Sequence, residues 1–137
     1  HLVAMFLPSL ITGHLIKKFG YSSIMYIGVL FYLITILLSF FDQTFTNYFI
    51  SLVFLGVGWN FLFISGTSLV VLTYNEEEKF KAQGMNDLIV YSAMALASLS
   101  AGILLSLAGW KMMNLFCLPL LILTIYTTFR ADRLTKK

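Results

Sequence analysis

Residues 47–73 read NYFISLVFLGVGWNFLFISGTSLVVLT and contain no charged side chain. A helix of this length rises about 40 Å, which is more than the roughly 30 Å of hydrocarbon that a spanning helix must cross. Working outward, we predict five apolar segments, at 2–16, 21–41, 47–73, 84–107 and 112–129. The chain is 59% hydrophobic and 11% charged, whereas soluble domains carry about 25% charged residues. The sequence therefore predicts an all-α, polytopic membrane helix bundle with five transmembrane segments in a lipid bilayer.

The basic residues fall almost entirely on one side of the bilayer when the five segments are threaded in alternating directions. The opposite side receives only Lys111. Since cytoplasmic loops carry the excess of Lys and Arg, the crowded side is predicted to be cytoplasmic, in the inner or plasma membrane. The tail 130–137 then lies in the cytoplasm. The basic residues sit in short loops between spans, so the net charge of +3 does not indicate nucleic-acid binding. The crowded side receives Lys17, Lys18, Lys79, Lys81, Arg130, Arg133, Lys136 and Lys137.

The first segment is about one turn too short to span a bilayer. Its 15 residues rise roughly 22 Å as a helix, and the chain does not begin with Met. We therefore expect the chain to begin inside a longer helix, as the C-terminal part of a larger membrane protein whose N-terminal half is its partner. The alternative is a complete small membrane protein that acts as a non-transporting scaffold.

Residues 13–20 contain the pattern Gly13-x-Leu15-x-Lys17-Lys18-x-Gly20. This pattern resembles the conserved cytoplasmic loop of major facilitator superfamily transporters, Gly-x-Leu-x-Asp-Arg/Lys-x-Gly-Arg/Lys, although Lys17 occupies the acidic position. Residues 77–87, EEKFKAQGMND, are similar to the acidic-basic-Ala-x-Gly segment of the same superfamily. The resemblance covers essentially the whole chain and places it at helices eight to twelve of the twelve-helix plan, in a bacterial branch.

This resemblance implies a secondary active transporter of an unidentified small solute. In such proteins two six-helix halves rock around a site near the midplane, and proton coupling is one option. The loop that carries Lys17 and Lys18 would then act at the cytoplasmic gate. Alternatively, these two lysines only set the topology.

Asn60, near the middle of the third segment, is the first candidate for lining a substrate cavity. Polar side chains inside a membrane are costly and often mark a pathway. Phe63 and Thr67 share its helix face and are candidates with it, and Trp59 could stack on a substrate. The alternatives are an interhelical hydrogen bond for Asn60 and simple packing for Trp59. Gly58 and Gly66 recur on one face as well, which favours close approach of a second helix.

Asp87 is the only acid that could lie within the hydrocarbon zone. We interpret it either as a proton carrier or as an end-cap or gate latch, since a charge in the first helical turn would meet the positive end of the helix dipole. Gln83 and Asn86 belong to the same predicted cytoplasmic polar layer.

No pattern in the sequence predicts an enzyme, a metal site or a cofactor. Consecutive carboxylates at 76–78 splay around a helix axis and favour solvated charge over metal binding. There is no nucleophile with a neighbouring base and no phosphate-binding loop. A membrane-embedded enzyme stays open as an alternative, because sequence outside this stretch could supply further ionisable groups.

Overall fold

The computed structural model describes residues 1–41 and 44–135, which form α-helices and no β-strand. A 3₁₀ turn at Glu76–Glu78 precedes the fifth helix. The predicted all-α class is confirmed. The helices are α1 (Leu2–Phe6), α2 (Ser9–Phe19), α3 (Tyr21–Leu38), α4 (Phe45–Val71), α5 (Lys79–Leu115) and α6 (Leu118–Thr135).

The first two helices form one apolar rod with a kink at Pro8. Proline has no N–H to donate and its ring crowds the preceding turn, so the helix is interrupted between Phe6 and Ser9. The Pro8 carbonyl accepts from the N–H groups of Ile11 and Thr12, at 3.0 and 2.9 Å, which restarts the helix. The rod ends at Gly20, whose φ of 83° suits glycine.

The closest pair of helices is α3 and α4, which meet at two glycines. A Cβ atom built on Gly58 would lie 2.9 Å from the Gly28 carbonyl oxygen, and one built on Gly28 would lie 3.0 Å from the Gly58 oxygen. The two backbones can approach this closely because neither residue has a side chain. Gly66 was predicted on the same face, but nothing lies within 4 Å of its Cβ position. The predicted close approach is therefore seen at Gly58, while no described helix packs against Gly66.

The fifth helix begins earlier and ends less simply than the sequence predicts. It starts at Lys79 rather than at residue 84, directly after the 3₁₀ turn, and Lys79 pairs with Glu76 at 3.7 Å. Gly109 breaks it, with φ 70° and ψ 174°, in the gap between the predicted segments 84–107 and 112–129. The helix is interrupted again at residues 116–117, directly before Pro119, which lies in the first turn of α6, where proline is tolerated. Helix α6 continues to Thr135, so most of the predicted tail is helical, while Lys136 and Lys137 lie outside the described residues.

Helices α4 and α5 run antiparallel along the part of α5 that precedes Gly109. At one end the rings of Tyr48 and Trp110 meet edge to face, with centroids 5.4 Å apart. At the other end the last turns of α4 and the first turns of α5 enclose a cavity. The chain therefore turns back on itself in the connection 72–78.

Within residues 1–41 and 44–135, four helical stretches are long and apolar enough to cross a membrane. The last of them, with 58 residues, would rise about 87 Å if it were straight, which far exceeds one bilayer thickness. It is broken at Gly109 and again before Leu118. The polytopic membrane bundle is thus confirmed, while the count of five segments stays a prediction. The four stretches are Leu2–Phe19, Tyr21–Leu38, Phe45–Val71 and Glu76–Arg133.

Candidate functional site

A polar cavity of about 260 Å³ lies between the end of α4 and the start of α5. Four of the predicted site residues, Thr67, Gln83, Asn86 and Asp87, meet here, although the 72–78 connection separates Thr67 from the other three. We call this space the α4–α5 cavity. Its full lining is Thr67, Ser68, Val70, Val71, Gln83, Asn86 and Asp87.

Hydrogen bonds hold several of the polar groups around the α4–α5 cavity. The Gln83 Nε2 group donates to the Tyr74 hydroxyl at 2.7 Å, which ties α5 to the preceding turn. The Asn86 Nδ2 group donates to Asp87 Oδ1 at 3.4 Å. Thr67 donates to the Phe63 carbonyl at 2.8 Å within its own helix, so its hydroxyl oxygen still has lone pairs to offer. The Thr67 hydroxyl oxygen and the Asp87 carboxylate can therefore accept hydrogen bonds from a molecule in the cavity. The carboxylate can also pair with a positive charge.

Asp87 is not an end-cap of its helix. Counting from Lys79, it is the ninth residue of α5, which places it in about the third turn. The effect of the helix dipole falls off within the first turn. The end-cap interpretation assumed a helix that begins at residue 84. Since α5 begins at Lys79, that interpretation is wrong.

Asn60 joins three helices through both ends of its side-chain amide. Its Nδ2 group donates to the Met5 carbonyl in α1 at 2.6 Å, and its Oδ1 atom accepts from the Thr12 hydroxyl in α2 at 2.7 Å. Asn60 is only 1% exposed. The geometry favours the interhelical hydrogen bond over cavity lining. Because Met5 and Thr12 lie on opposite sides of Pro8, Asn60 also fixes the kink between α1 and α2.

Three aromatic rings cluster beside Asn60. Trp59 and Phe63 stack almost in parallel, with centroids 4.6 Å apart and planes at 10°. Phe6 of α1 meets the Trp59 ring at 68°, with centroids 6.2 Å apart. We call Phe6, Trp59 and Phe63 the aromatic cluster. Phe63 precedes Thr67 by one helical turn on the same face, so this face of α4 leads from the cluster to the α4–α5 cavity.

The two predicted loop lysines lie apart from the α4–α5 cavity. Lys17 borders a separate space of about 290 Å³ beside Ser9, Gly13 and His14. The Lys18 Nζ atom lies 5.2 Å from the centre of the Phe19 ring. Both lysines are in the last turn of α2, where positive charge complements the helix dipole.

Sequence reasoning missed the partners of Asn60 and the third ring of the aromatic cluster. The amide of Asn60 donates to a main-chain carbonyl, that of Met5. The sequence of side chains does not predict which carbonyl lies within reach of it at a kink. Pro8 was the available signal, since it frees acceptors in the turn before it. Among residues 1–41 and 44–135, no three His, Cys, Asp or Glu side chains lie close enough together to hold a metal ion.

The sequence profile of the Major Facilitator Superfamily matches residues 1–137. The riboflavin transporter RfnT of Brucella anthropi is 37% identical over 91% of this chain and 31% of its own length. Two uncharacterized transporters of the same type from Bacillus subtilis, YdeG and YddS, are 30% and 28% identical over 84% of this chain. The chain spans about a third or less of the length of each relative. No solved structure matches it significantly.

A match over the full chain shows the family, and its similar proteins are named as transporters rather than enzymes. The helices long enough to cross a membrane agree with a multi-pass membrane protein. The chain belongs to the Major Facilitator Superfamily.

Proposed function

We propose that the whole protein is a secondary active transporter that moves a small solute across the cell membrane by alternating access. The carrying observation is the α4–α5 cavity, which gathers a carboxylate, two amides and two hydroxyls between helices that are otherwise apolar. Polar and ionisable groups are costly inside a membrane, so a cluster of them marks a pathway. The rest of the protein, which in its relatives is more than twice as long as this chain, would supply the other half of the pathway.

Riboflavin is the first solute to test, because the relative from Brucella anthropi is named as a riboflavin transporter. Cells that lack their own flavin uptake would express the full-length protein and be supplied with labelled riboflavin. We expect saturable accumulation that depends on expression. Accumulation equal to that of cells with an empty vector would exclude riboflavin as the substrate.

Asp87 is the candidate for proton coupling within this chain. Its residue is exposed and borders the α4–α5 cavity. If it carries the coupling proton, Asp87→Asn abolishes the dependence of uptake on external pH. Uptake that keeps its pH dependence in this variant would leave Asp87 with the role of a gate residue. Glu77→Gln, a change in the exposed 3₁₀ turn, is the matched control and should alter neither rate nor pH dependence.

The proposed orientation places the α4–α5 cavity and the C-terminus on the cytoplasmic side of the inner membrane. It rests on the positive-inside rule, with Lys79, Lys81, Arg130 and Arg133 on that side and Lys111 on the other. The gate role of Gln83 and Asn86 follows from this orientation. Lys17 and Lys18 would lie on the same side.

A further inference from the structure

We propose that Trp59 and Phe63 form a stacking face for a planar heteroaromatic ring of the transported solute, and that Asn60 positions this face. The inference rests on the proposed transport function and assigns its substrate class to particular side chains. The occupant is a solute that joins a flat ring system to a polar chain, as riboflavin does. The aromatic cluster would hold the ring and the α4–α5 cavity the polar chain.

The position of Trp59 in its helix is the first argument. Counting from Phe45, it is the fifteenth of the 27 residues of α4, so it lies at the middle of the span. Tryptophan in membrane proteins concentrates at the two interfaces, where the indole N–H finds a polar partner. No side chain or carbonyl in the described ranges, 1–41 and 44–135, accepts a hydrogen bond from the Trp59 N–H. The half-buried indole of Trp59 therefore has its N–H available to a group outside the described residues, and the acceptor in this proposal is the transported solute.

The geometry of the rings is the second argument. Trp59 and Phe63 lie parallel within 10° and both are only half-buried, and in this proposal a flat solute ring extends their stack. Phe6 contacts Trp59 by its edge and does not continue the stack. Stacking on aromatic side chains depends on a flat π-face and tolerates differences between heterocycles. The pair is suited to a ring system rather than to an aliphatic solute.

Asn60 makes this arrangement rigid. It follows Trp59 directly and bonds to both Met5 in α1 and Thr12 in α2, so neither helix can move along α4 without breaking a hydrogen bond. A Cβ atom on Gly56 would lie 2.8 Å from the Ala4 side chain, which shows how closely α1 and α4 pack one turn before Asn60. Phe6, next to Met5, is thereby kept against the Trp59 ring.

Polar side chains follow the aromatic cluster along α4 toward the α4–α5 cavity. Thr67 lies one turn beyond Phe63, which is about 6 Å along the axis, and it borders the α4–α5 cavity with Ser68, Asn86 and Asp87. These groups accept and donate hydrogen bonds, as a polyhydroxyl chain requires. A solute with its flat ring on the aromatic cluster and its polar chain in the α4–α5 cavity would contact both sites at the same time.

The test measures riboflavin binding by the full-length protein in lipid nanodiscs, through quenching of flavin fluorescence. Trp59→Ala and Phe63→Leu should each raise the Kd about tenfold, the scale of losing one aromatic stack. Trp59→Phe should keep most of the affinity, because it keeps a stacking ring. Trp110→Phe changes the other tryptophan, which meets Tyr48 at the far end of α4, and is the matched control with unchanged affinity. Lumichrome, the ring without the chain, should compete for the site, and ribitol, the chain without the ring, should compete far less.

The outcomes separate this inference from the proposed function. If wild-type protein takes up riboflavin while Phe63→Leu and Trp59→Ala bind it as tightly as wild type, the stacking face is wrong and the transport proposal stands. Competition by ribitol but not by lumichrome would also overturn it. If wild-type protein neither binds nor takes up riboflavin, the flavin substrate fails and the inference fails with it. If Trp59→Ala does not fold, the affinity of Phe63→Leu tests the stacking face by itself, because leucine nearly preserves the side-chain volume and removes the aromatic ring.

Discussion

At the scale of single residues, the bonds of Asn60 predict a measurable loss of stability on truncation. Asn60→Ala removes its bonds to Met5 and Thr12 and leaves the Met5 carbonyl without that donor. Each interhelical hydrogen bond in a membrane contributes about 0.6–2 kcal/mol, so we expect a loss of about 1–3 kcal/mol. Thermal unfolding of the full-length protein in detergent measures it. Asn60→Ala combined with Thr12→Val should be less destabilising than the sum of the two single changes, because they share one bond; strict additivity would show that the bond does not form.

Ser65 gives the opposite prediction, because its hydroxyl is buried without a partner among the described residues. An unsatisfied buried polar group costs about 1–3 kcal/mol. Ser65→Ala removes that group with a small change in volume, so the melting temperature should stay the same or rise. Ser51→Ala, which changes another buried serine about four turns earlier in the same helix, is the control. A clear fall in stability for Ser65→Ala alone would mean that the hydroxyl has a partner in the whole protein.

The sequence predicted some of the roles of single residues and left others open. It identified Asn60 as a polar group that needed a partner and left two roles open, hydrogen bond and cavity. Choosing between them required the position of the Met5 carbonyl, which depends on how Pro8 bends the chain. Phe63 was a predicted candidate because it shares a helix face with Asn60, and Trp59 because an indole can stack on a substrate, whereas Phe6 comes from another helix and gave no local signal.

At the scale of elements, the crossing of α3 and α4 predicts different costs for three identical substitutions. Gly58→Ala places a methyl group 2.9 Å from the Gly28 carbonyl, and Gly28→Ala places one 3.0 Å from the Gly58 carbonyl. Overpacking of this kind costs about 1–3 kcal/mol. Gly66→Ala meets open space, so it should be neutral or gain up to about 1 kcal/mol from helix propensity. Melting curves of the three variants test the order, and equal destabilisation by all three would contradict it.

Helix boundaries were harder to predict than helices. The polar run 75–83 contains strong helix formers, but apolar periodicity stops there, so the sequence predicted a helix start at residue 84. The structure begins α5 at Lys79, with the Glu76–Lys79 pair at its entrance. The turn at 109–111 was predictable because glycine there adopts the positive φ that other residues avoid. This difference in starting point moved Asp87 from the first turn into the helix and changed its interpretation.

At the scale of the whole molecule, composition and charge predicted the bundle, because lipid demands long apolar helices with internally satisfied backbones. They could not predict the surroundings of α5. No residue in the most apolar window of Glu76–Arg133 is buried, and the small residues Ala93, Ala97 and Ala101 are all exposed. Tight packing on that face depends on parts of the protein outside this chain, which spans 31% of its relative from Brucella anthropi.

The orientation of the whole bundle leads to a test with cysteine labelling. The full-length protein would carry Cys117→Ser, with any cysteine outside this stretch replaced, and then either Lys111→Cys or Lys81→Cys. In right-side-out membrane vesicles, a membrane-impermeant maleimide should label residue 111, because the positive-inside rule places it outside. Residue 81 should react only after the vesicles are opened. Labelling of residue 81 in sealed vesicles, with residue 111 protected, would show that the bundle has the opposite orientation in the membrane. The α4–α5 cavity would then open to the outside, and Asp87 would meet the solute on the external rather than the cytoplasmic face.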